Sequence, residues 1–565
     1  MKEIYIHIAK VLNDITNISV DTLLESPKDP SHGDVAFPCF TLAKQLQKSP
    51  VQIAQDIVVQ INADDIISSA VATGPYINFV VQPIYLARNV INSVLEQKHD
   101  YGRGAKKNET IVIESPSPNT NKPLHLWHVR NMLLGNSLDL LCSYAWYDAT
   151  KVEVVNDRGI HICKSMLAYK LFADNAEPDK KSDHFVGDWY VRFAQEAEKD
   201  PALDGQAQIM LKDREEGDTE IHALRKKMNT RAIDGFKTTY QRYGTRIDKH
   251  YYESDIYQEG KKIIMEWLDK WIFVRDSKWN IAFPVTKKDW ETGYFVVLRA
   301  DGTAVYATQD IALAAQREED YHMDRMVYIV WSEQADYFKT LFLVLEALDY
   351  PFAKGSYHLS YWMISLPDGK MKSRTGNVVD ADTLADDMHK QSAALLRERY
   401  TDLSDEEITA KAETIALAAI KFFMLKYDVA KEFVFDSAQS LSFDGETWPY
   451  MLYTYARCTQ IISKAWVTID SFDAALLQEE WERKLLLHLA NFADVISKAA
   501  QEYKPDLVAR YILDLTQLFN RYYQQTHIIV EDTPLQVARV ALVMSVQQVL
   551  ENALNLLGIE TVEKM

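Results

Sequence analysis

Apolar positions recur along this chain with two different periods, and the change between them divides it into three parts. Ile4, Ile8, Leu12 and Ile15 fall at helical spacing, so an opening helix is expected to pack one face on a core. Mixed strand and helix patterns continue to VATGPYINFVV at 71–81, and the glycine- and charge-rich HDYGRGAKKNE at 99–109 reads as a connector. TIVIES at 110–115 is a short β-branched strand. It breaks at SPSPNTNKP and gives way to a helical pattern from Leu124, where Pro123 suits a first helical turn. KVEVVND at 151–157 reads as the next strand. Strand, loop, helix, strand opens a parallel α/β sheet, whose ligands sit at the carboxyl ends of the strands.

Residues about 172–232 are dense in charge and read as a solvated helical insertion. Strand-like stretches resume in FVVLRADGTAVYATQDIALA, MVYIVWSEQ and SYHLSYWMISL. From about 391 the helical period dominates to the end. The expected architecture is α/β: an α+β amino-terminal domain over 1–105, a Rossmann-type parallel-sheet domain over 106–390, and an all-α domain over 391–565. A chain of 565 residues exceeds what one hydrophobic core serves, which agrees with several domains.

Composition narrows the picture further. The four cysteines, Cys39, Cys142, Cys163 and Cys458, lie far apart, which argues against a disulfide framework or a zinc site. No apolar run reaches membrane-spanning length and the start lacks a signal-peptide layout, so a cytoplasmic protein is expected. The net charge of −19 favours a small-molecule enzyme, yet RNA binding depends on local basic patches rather than on the total.

Two segments carry chemistry. In Lys122-Pro-Leu-His125-Leu-Trp-His128, two histidines three apart share one face at a helix amino terminus. The backbone donors and helix dipole there favour an anion. In Lys370-Met371-Lys372-Ser373-Arg374, three cations in five residues form a basic loop suited to polyphosphate and to a departing pyrophosphate. Seen alone, each segment also fits an ordinary surface helix or a solvated turn. Together, with the first placed just after an α/β sheet's opening strand, they point to nucleotide chemistry.

SPSPNTNKPLHLWH resembles the HIGH signature of class I aminoacyl-tRNA synthetases in its arginine-specific form, and KMKSR resembles the class's KMSKS signature. VVNDRGIHI, DGTAVYATQDIA, SHGDVAFPCFTLAK, GPYINF and the closing LLGIETVEKM are similar to segments of the same family. The resemblance implies ATP-dependent ligation of L-arginine to tRNA(Arg) through an arginyl-adenylate, with ATP and Mg2+, in a protein expected to be monomeric. It implies that His125, His128, Lys122, Lys370 and Lys372 serve catalysis, and that Trp127, Met371 and Arg374 join the histidines around ATP. It assigns arginine to Glu114, Asn119, Tyr306, Asp310 and Gln334. A carboxylate at Asp310 suits the guanidinium fork. It assigns the anticodon to the helical tail, where Tyr453, Arg457, Tyr522 and Met565 are the candidates, although an aromatic stripe at this spacing is more often core.

The chain also departs from that pattern. Trp127 stands at the third HIGH position, where glycine lets adenosine approach the backbone, and Trp448 stands where the family commonly has glycine. Ser373 replaces the usual second lysine of the basic loop, with Lys122 available to compensate. An active enzyme is the expectation. The alternative is an impaired, tRNA-binding relative in which Trp127 blocks the adenine site.

Overall fold

The computed structural model describes the chain except residues 21–22, 26, 28, 30–31, 287–291, 368–378, 443–444 and 562–565. The amino-terminal part folds Lys2–Thr16 against a three-stranded antiparallel sheet of Val35–Pro38, Tyr76–Val81 and Ile67–Thr73, with Tyr76–Val81 in the middle. Ile4, Ile8 and Leu12 are buried as their spacing predicts, while Ile15 lies partly exposed at the helix end. Asp34 ties this part to the helical tail. Its carboxylate accepts from the Val81 backbone N–H at 2.6 Å and meets the guanidinium of Arg483.

The central sheet has five parallel strands in the spatial order Tyr357–Tyr361, Arg325–Trp331, Thr110–Glu114, Asp148–Val155, Lys249–Tyr252. Thr110–Glu114 is first in sequence and central in space. The chain builds outward from it in one direction and later returns to its other side, which makes a crevice at its carboxyl end. Ile111, Val112 and Ile113 are fully buried, as a strand covered on both faces requires. The connection to Asp148–Val155 is the helix Leu126–Tyr144, called the signature helix below. Its Gly135 lets the helix lie directly on the strand end, since a Cβ there would come within 2.3 Å of Ser115 Oγ.

The charged stretch folds as helices Ile160–Phe172, Ser182–Lys199, Ala202–Glu215 and Thr219–Tyr243, inserted between two neighbouring strands of the sheet. A small antiparallel sheet of Val274–Arg275, Ile281–Thr286 and Thr292–Leu298 precedes the helix Tyr306–Tyr321. The tail is helical, with Asp405–Leu425, Trp448–Ala465, Pro505–Gln525 and Thr533–Leu556 among its longer members. It shares one continuous apolar core with the signature helix.

Candidate active site

The signature helix begins at Leu126 with His125 as its cap, three residues later than Pro123 suggested. The cause is a pairing invisible in the local pattern. His125 bridges Asp380 in antiparallel fashion, Leu126 N–H donates to the Val379 carbonyl at 3.1 Å, and Ala381 N–H donates to the Leu124 carbonyl at 2.9 Å. Residues 124 and 125 are therefore held out of the helix by the stretch that follows the basic loop. Lys370, Met371, Lys372 and Arg374 lie outside the described residues. The flank before that loop also meets this helix, because Trp127 Nε1 donates to the Ile364 carbonyl at 3.3 Å.

His125 and His128 stack with ring centres 3.8 Å apart, and His128 Nδ1 accepts from the His125 backbone N–H at 3.2 Å. Burial, reinforced by nearby Lys122, pushes the His125 imidazole down to about 3. Burial, together with His125 and Lys122, holds His128 well below the usual histidine range. Both rings are neutral at pH 7, so they serve as hydrogen-bonding groups and not as cations. His125 Nδ1 is buried without a hydrogen-bond partner among the described residues. Burial also lowers Lys122. The segment carrying it is braced by the insertion, where Gly187 sits against Pro123 so closely that a Cβ would come within 2.6 Å of the ring.

The arginine candidates fall on two levels of the crevice. Glu114 ends the central strand. Its Oε2 lies 2.8 Å from Arg317 Nη2, and its Oε1 accepts from Ser117 Oγ at 3.2 Å. Asp310, on the helix Tyr306–Tyr321, accepts from the Tyr337 hydroxyl. Burial pushes the Asp310 carboxyl up to about 7, with the Glu114 charge adding to the rise while Tyr337 and Arg317 oppose it. Tyr306 starts the same helix and is 79% exposed. Asn119 is exposed and bridges Asn156, and Gln334 is exposed at the end of the turn Ser332–Gln334. The fold thus brings Glu114 and Asp310 into one electrostatic group, with Asn119, Tyr306 and Gln334 open to solvent.

Arg317 and Tyr337 belong to that group and were not singled out from the sequence. Arg317 is fully buried, its guanidinium 5.3 Å from the Tyr251 ring and 5.9 Å from that of Tyr328. Its position seven residues after Asp310 places both on one helix face, which was the available signal. A separate cluster of Asp183, His184 and Asp382 has metal-like donors. Lys181 Nζ already lies 3.1 Å from Asp183 and 2.7 Å from Asp382, so an ammonium bridges the two carboxylates.

In the tail, the Arg457 guanidinium lies 4.4 Å from the ring centres of both Tyr453 and Tyr523, and its Nη1 donates to Asn520 Oδ1 at 2.7 Å. Tyr453 and Tyr523 are 49% and 42% exposed. Tyr522 is a correction: it is fully buried, with its hydroxyl 3.4 Å from Glu482 Oε1, and so belongs to the core. Its neighbour Tyr523 takes the outward position because successive helix residues point about 100° apart. Met565 lies outside the described residues.

Comparison with known proteins bears on this geometry. A family profile described as "tRNA synthetases class I (R), catalytic domain" matches residues 90–437. A relative in Treponema denticola named arginine–tRNA ligase is 39% identical over 99% of this chain and 98% of its own length. The chain belongs to the arginyl-tRNA synthetase family. Two further profiles of such synthetases match beside the catalytic one, "Arginyl tRNA synthetase N terminal domain" over 2–81 and "DALR anticodon binding domain" over 451–565. The arginine–tRNA ligase of Borrelia hermsii is 37% identical over 97% of this chain and 95% of its own length. The arginyl-tRNA synthetase structure from Thermus thermophilus superposes with a TM-score of 0.84 at 25% identity, covering 100% of this chain and 99% of that one.

Proposed function

We propose that the chain ligates L-arginine to tRNA(Arg) in two steps at the crevice above the central strand, using ATP as its magnesium complex. The arginine carboxylate attacks the α-phosphate, giving arginyl-adenylate and pyrophosphate. A terminal ribose hydroxyl of the tRNA then attacks the adenylate carbonyl carbon and releases AMP. Asp310 takes the guanidinium and Glu114 the α-amino group, with Asn119, Tyr306 and Gln334 closing around the substrate from the solvent side. His125 and His128 meet the phosphates as neutral groups beside Lys122. Lys370, Lys372 and Arg374, with Met371, close over ATP and stabilise the departing pyrophosphate. The chemistry is positioning and charge stabilisation throughout.

The observation that carries this reading is the juxtaposition of two acids, Glu114 and Asp310, with a helix terminus that is stitched through His125 to the flank of the basic loop. Acids suit a cationic side chain, and a helix terminus suits phosphate. In the tail, the exposed Tyr453 with Arg457 offers a stacking surface for anticodon bases, with Met565 at the chain end as a further contact. Among the described residues no helix is long and apolar enough to cross a membrane, and the enzyme works in the cytoplasm as a monomer. Arginine-dependent exchange of pyrophosphate into ATP, measured with and without tRNA, tests the reading. Exchange that requires arginine supports it, and its absence under both conditions in a folded protein overturns it.

A further inference from the structure

Several tryptophans of this chain stand where the backbone calls for a residue without a side chain. Trp146 and Trp271 each end a helix in the left-handed region, both at φ +63°. In each case two hydrogen bonds close the helix. Trp146 N–H reaches Ser143 O at 3.2 Å and Tyr147 N–H reaches Cys142 O at 3.0 Å. Trp271 N–H reaches Leu268 O and Ile272 N–H reaches Trp267 O, each at 3.1 Å. This is the terminator whose left-handed position glycine normally fills. The chain itself uses glycine there elsewhere: Gly244, at φ +69°, makes the same pair of bonds at 3.1 and 2.8 Å.

A hairpin repeats the comparison. Trp279, at φ +63°, donates to Asp276 O at 3.0 Å while Asp276 N–H donates to Asn280 O at 2.9 Å. A later turn has the same two bonds at 2.9 and 3.1 Å, built on Arg299, Thr303 and Gly302. Trp466 closes its helix at φ +49°. A bulky side chain in this region is an outlier, unlike asparagine, which tolerates it. Burial does not compensate, since Trp271 and Trp466 are 86% and 91% exposed. Tyr503, also left-handed, differs because it is buried against Tyr357 with ring centres 5.1 Å apart.

Two more tryptophans stand where the resemblance drawn from the sequence implies glycine. Trp448 occupies a position where the family commonly has glycine, and its Nε1 is buried with no acceptor among the described residues. Trp127 stands at the third position of the HIGH-like segment, packed between His125 and Trp331 at ring distances of 5.4 and 5.7 Å, where it fills the space beside the first turn. The chain holds 19 glycines in 565 residues, where ordinary usage of roughly 7% gives about 40.

We infer that the cell producing this protein inserts glycine at Trp127, Trp146, Trp271, Trp279, Trp448 and Trp466, because the codon standing for tryptophan there is UGA and a glycine-accepting tRNA reads it. UGA changes meaning between lineages and differs from the glycine codon GGA by one base. One reassignment accounts for all six positions, whereas six independent replacements would each have to be tolerated. With glycine at 127 the indole beside His125 is gone, and the first turn of the signature helix is open to a nucleoside.

Peptide masses of the protein purified from its own cells, read together with the gene's codons, decide this. Glycine is expected at all six sites, with UGA in the gene. Trp267 and Trp481 are the internal controls, expected as tryptophan from UGG: both lie inside helices at right-handed backbone and away from the glycine positions of the resemblance, and Trp481 Nε1 donates to Gln525 at 2.6 Å. Tryptophan peptides or UGG codons at the six sites overturn the inference. A recombinant chain with all six changed to glycine should also gain about tenfold in folding equilibrium constant per left-handed site. Its KM for ATP should fall by about tenfold as the wedge is removed. An unchanged melting midpoint and ATP KM would count against it. A glycine form confirmed by mass that folds but does not activate arginine would tell against the proposed function and leave the glycine assignment standing.

Discussion

The guanidinium of Arg317 lies 2.8 Å from the carboxylate of Glu114, beneath the floor of the crevice and out of reach of water. An acid assigned to the substrate's α-amino group is therefore already oriented by a buried cation. The pairing leaves Oε1 of Glu114, held by Ser117, as the oxygen nearer the loop.

Removing that cation should damage both fold and binding. Arg317→Met strands Glu114 in a low-dielectric site, and breaking one side of such a pair costs about 3 kcal/mol. Urea titration should register that loss, and the KM for arginine should rise while the KM for ATP stays near its original value. An equal rise in both KM values would show that Arg317 supports the whole domain and not the arginine pocket.

Asp310 should make arginine binding depend on pH. Its carboxyl titrates at about 7 in the free protein, raised chiefly by burial, and a guanidinium requires the ionised form. Affinity for arginine should therefore fall as pH drops below 7, by up to tenfold per unit. Calorimetry in two buffers should detect proton release on binding. The stability effect has the opposite sense. A raised acid stabilises the fold below its unfolded value, and that contribution is lost as pH climbs through 7. Asp310→Asn should abolish the pH dependence along with most of the affinity.

The stacked histidines should behave as neutral groups across the physiological range. Because burial depresses both, activity should show no inflection from either one between pH 5 and 8. Their stabilising contribution is complete above the unfolded value near 6.5 and is lost as pH falls from there towards 3, the folded value of His125. His125→Ala should lower the rate of pyrophosphate exchange by about a hundredfold, with a smaller effect on KM for arginine.

The adjacent tyrosines of the tail should separate cleanly. Arg457→Ala should raise the KM for tRNA by about tenfold and reduce the slope of binding against log salt by about one. Tyr522→Phe removes a buried hydroxyl contact with Glu482 and should cost about 1 kcal/mol of stability, with no change in KM for tRNA. A tRNA defect in Tyr522→Phe would reverse the assignment of Tyr522 to the core.

Much of this was legible before the fold was known, for identifiable reasons. The strand Thr110–Glu114 and the helix after it announce themselves by period and by the proline break, so Glu114 and His125 could be placed at the crevice. Asp310 was legible only through resemblance, since a lone aspartate on a helix looks like a surface charge. Arg317 escaped because buried arginines are rare and its partner lies 203 positions earlier in the chain. The true start of the signature helix escaped for a similar reason. It depends on backbone hydrogen bonds, from Leu126 to the Val379 carbonyl and from Ala381 to the Leu124 carbonyl, and no local pattern encodes a partner that far away. Tyr522 reads as a surface residue and is buried, because period alone fixes a helix face only to within a residue.

The pairing of His125 with Asp380 has a thermodynamic corollary. The segment that follows the loop carrying the cations pairs through Asp380 with the cap of the helix proposed to receive phosphate. A nucleotide at the cap and an anion beside Asp380 would act on the same backbone pairing, so any free energy by which one favours the other is returned equally. An anion bound there will tighten the nucleotide's hold by the same factor as the nucleotide tightens the anion's.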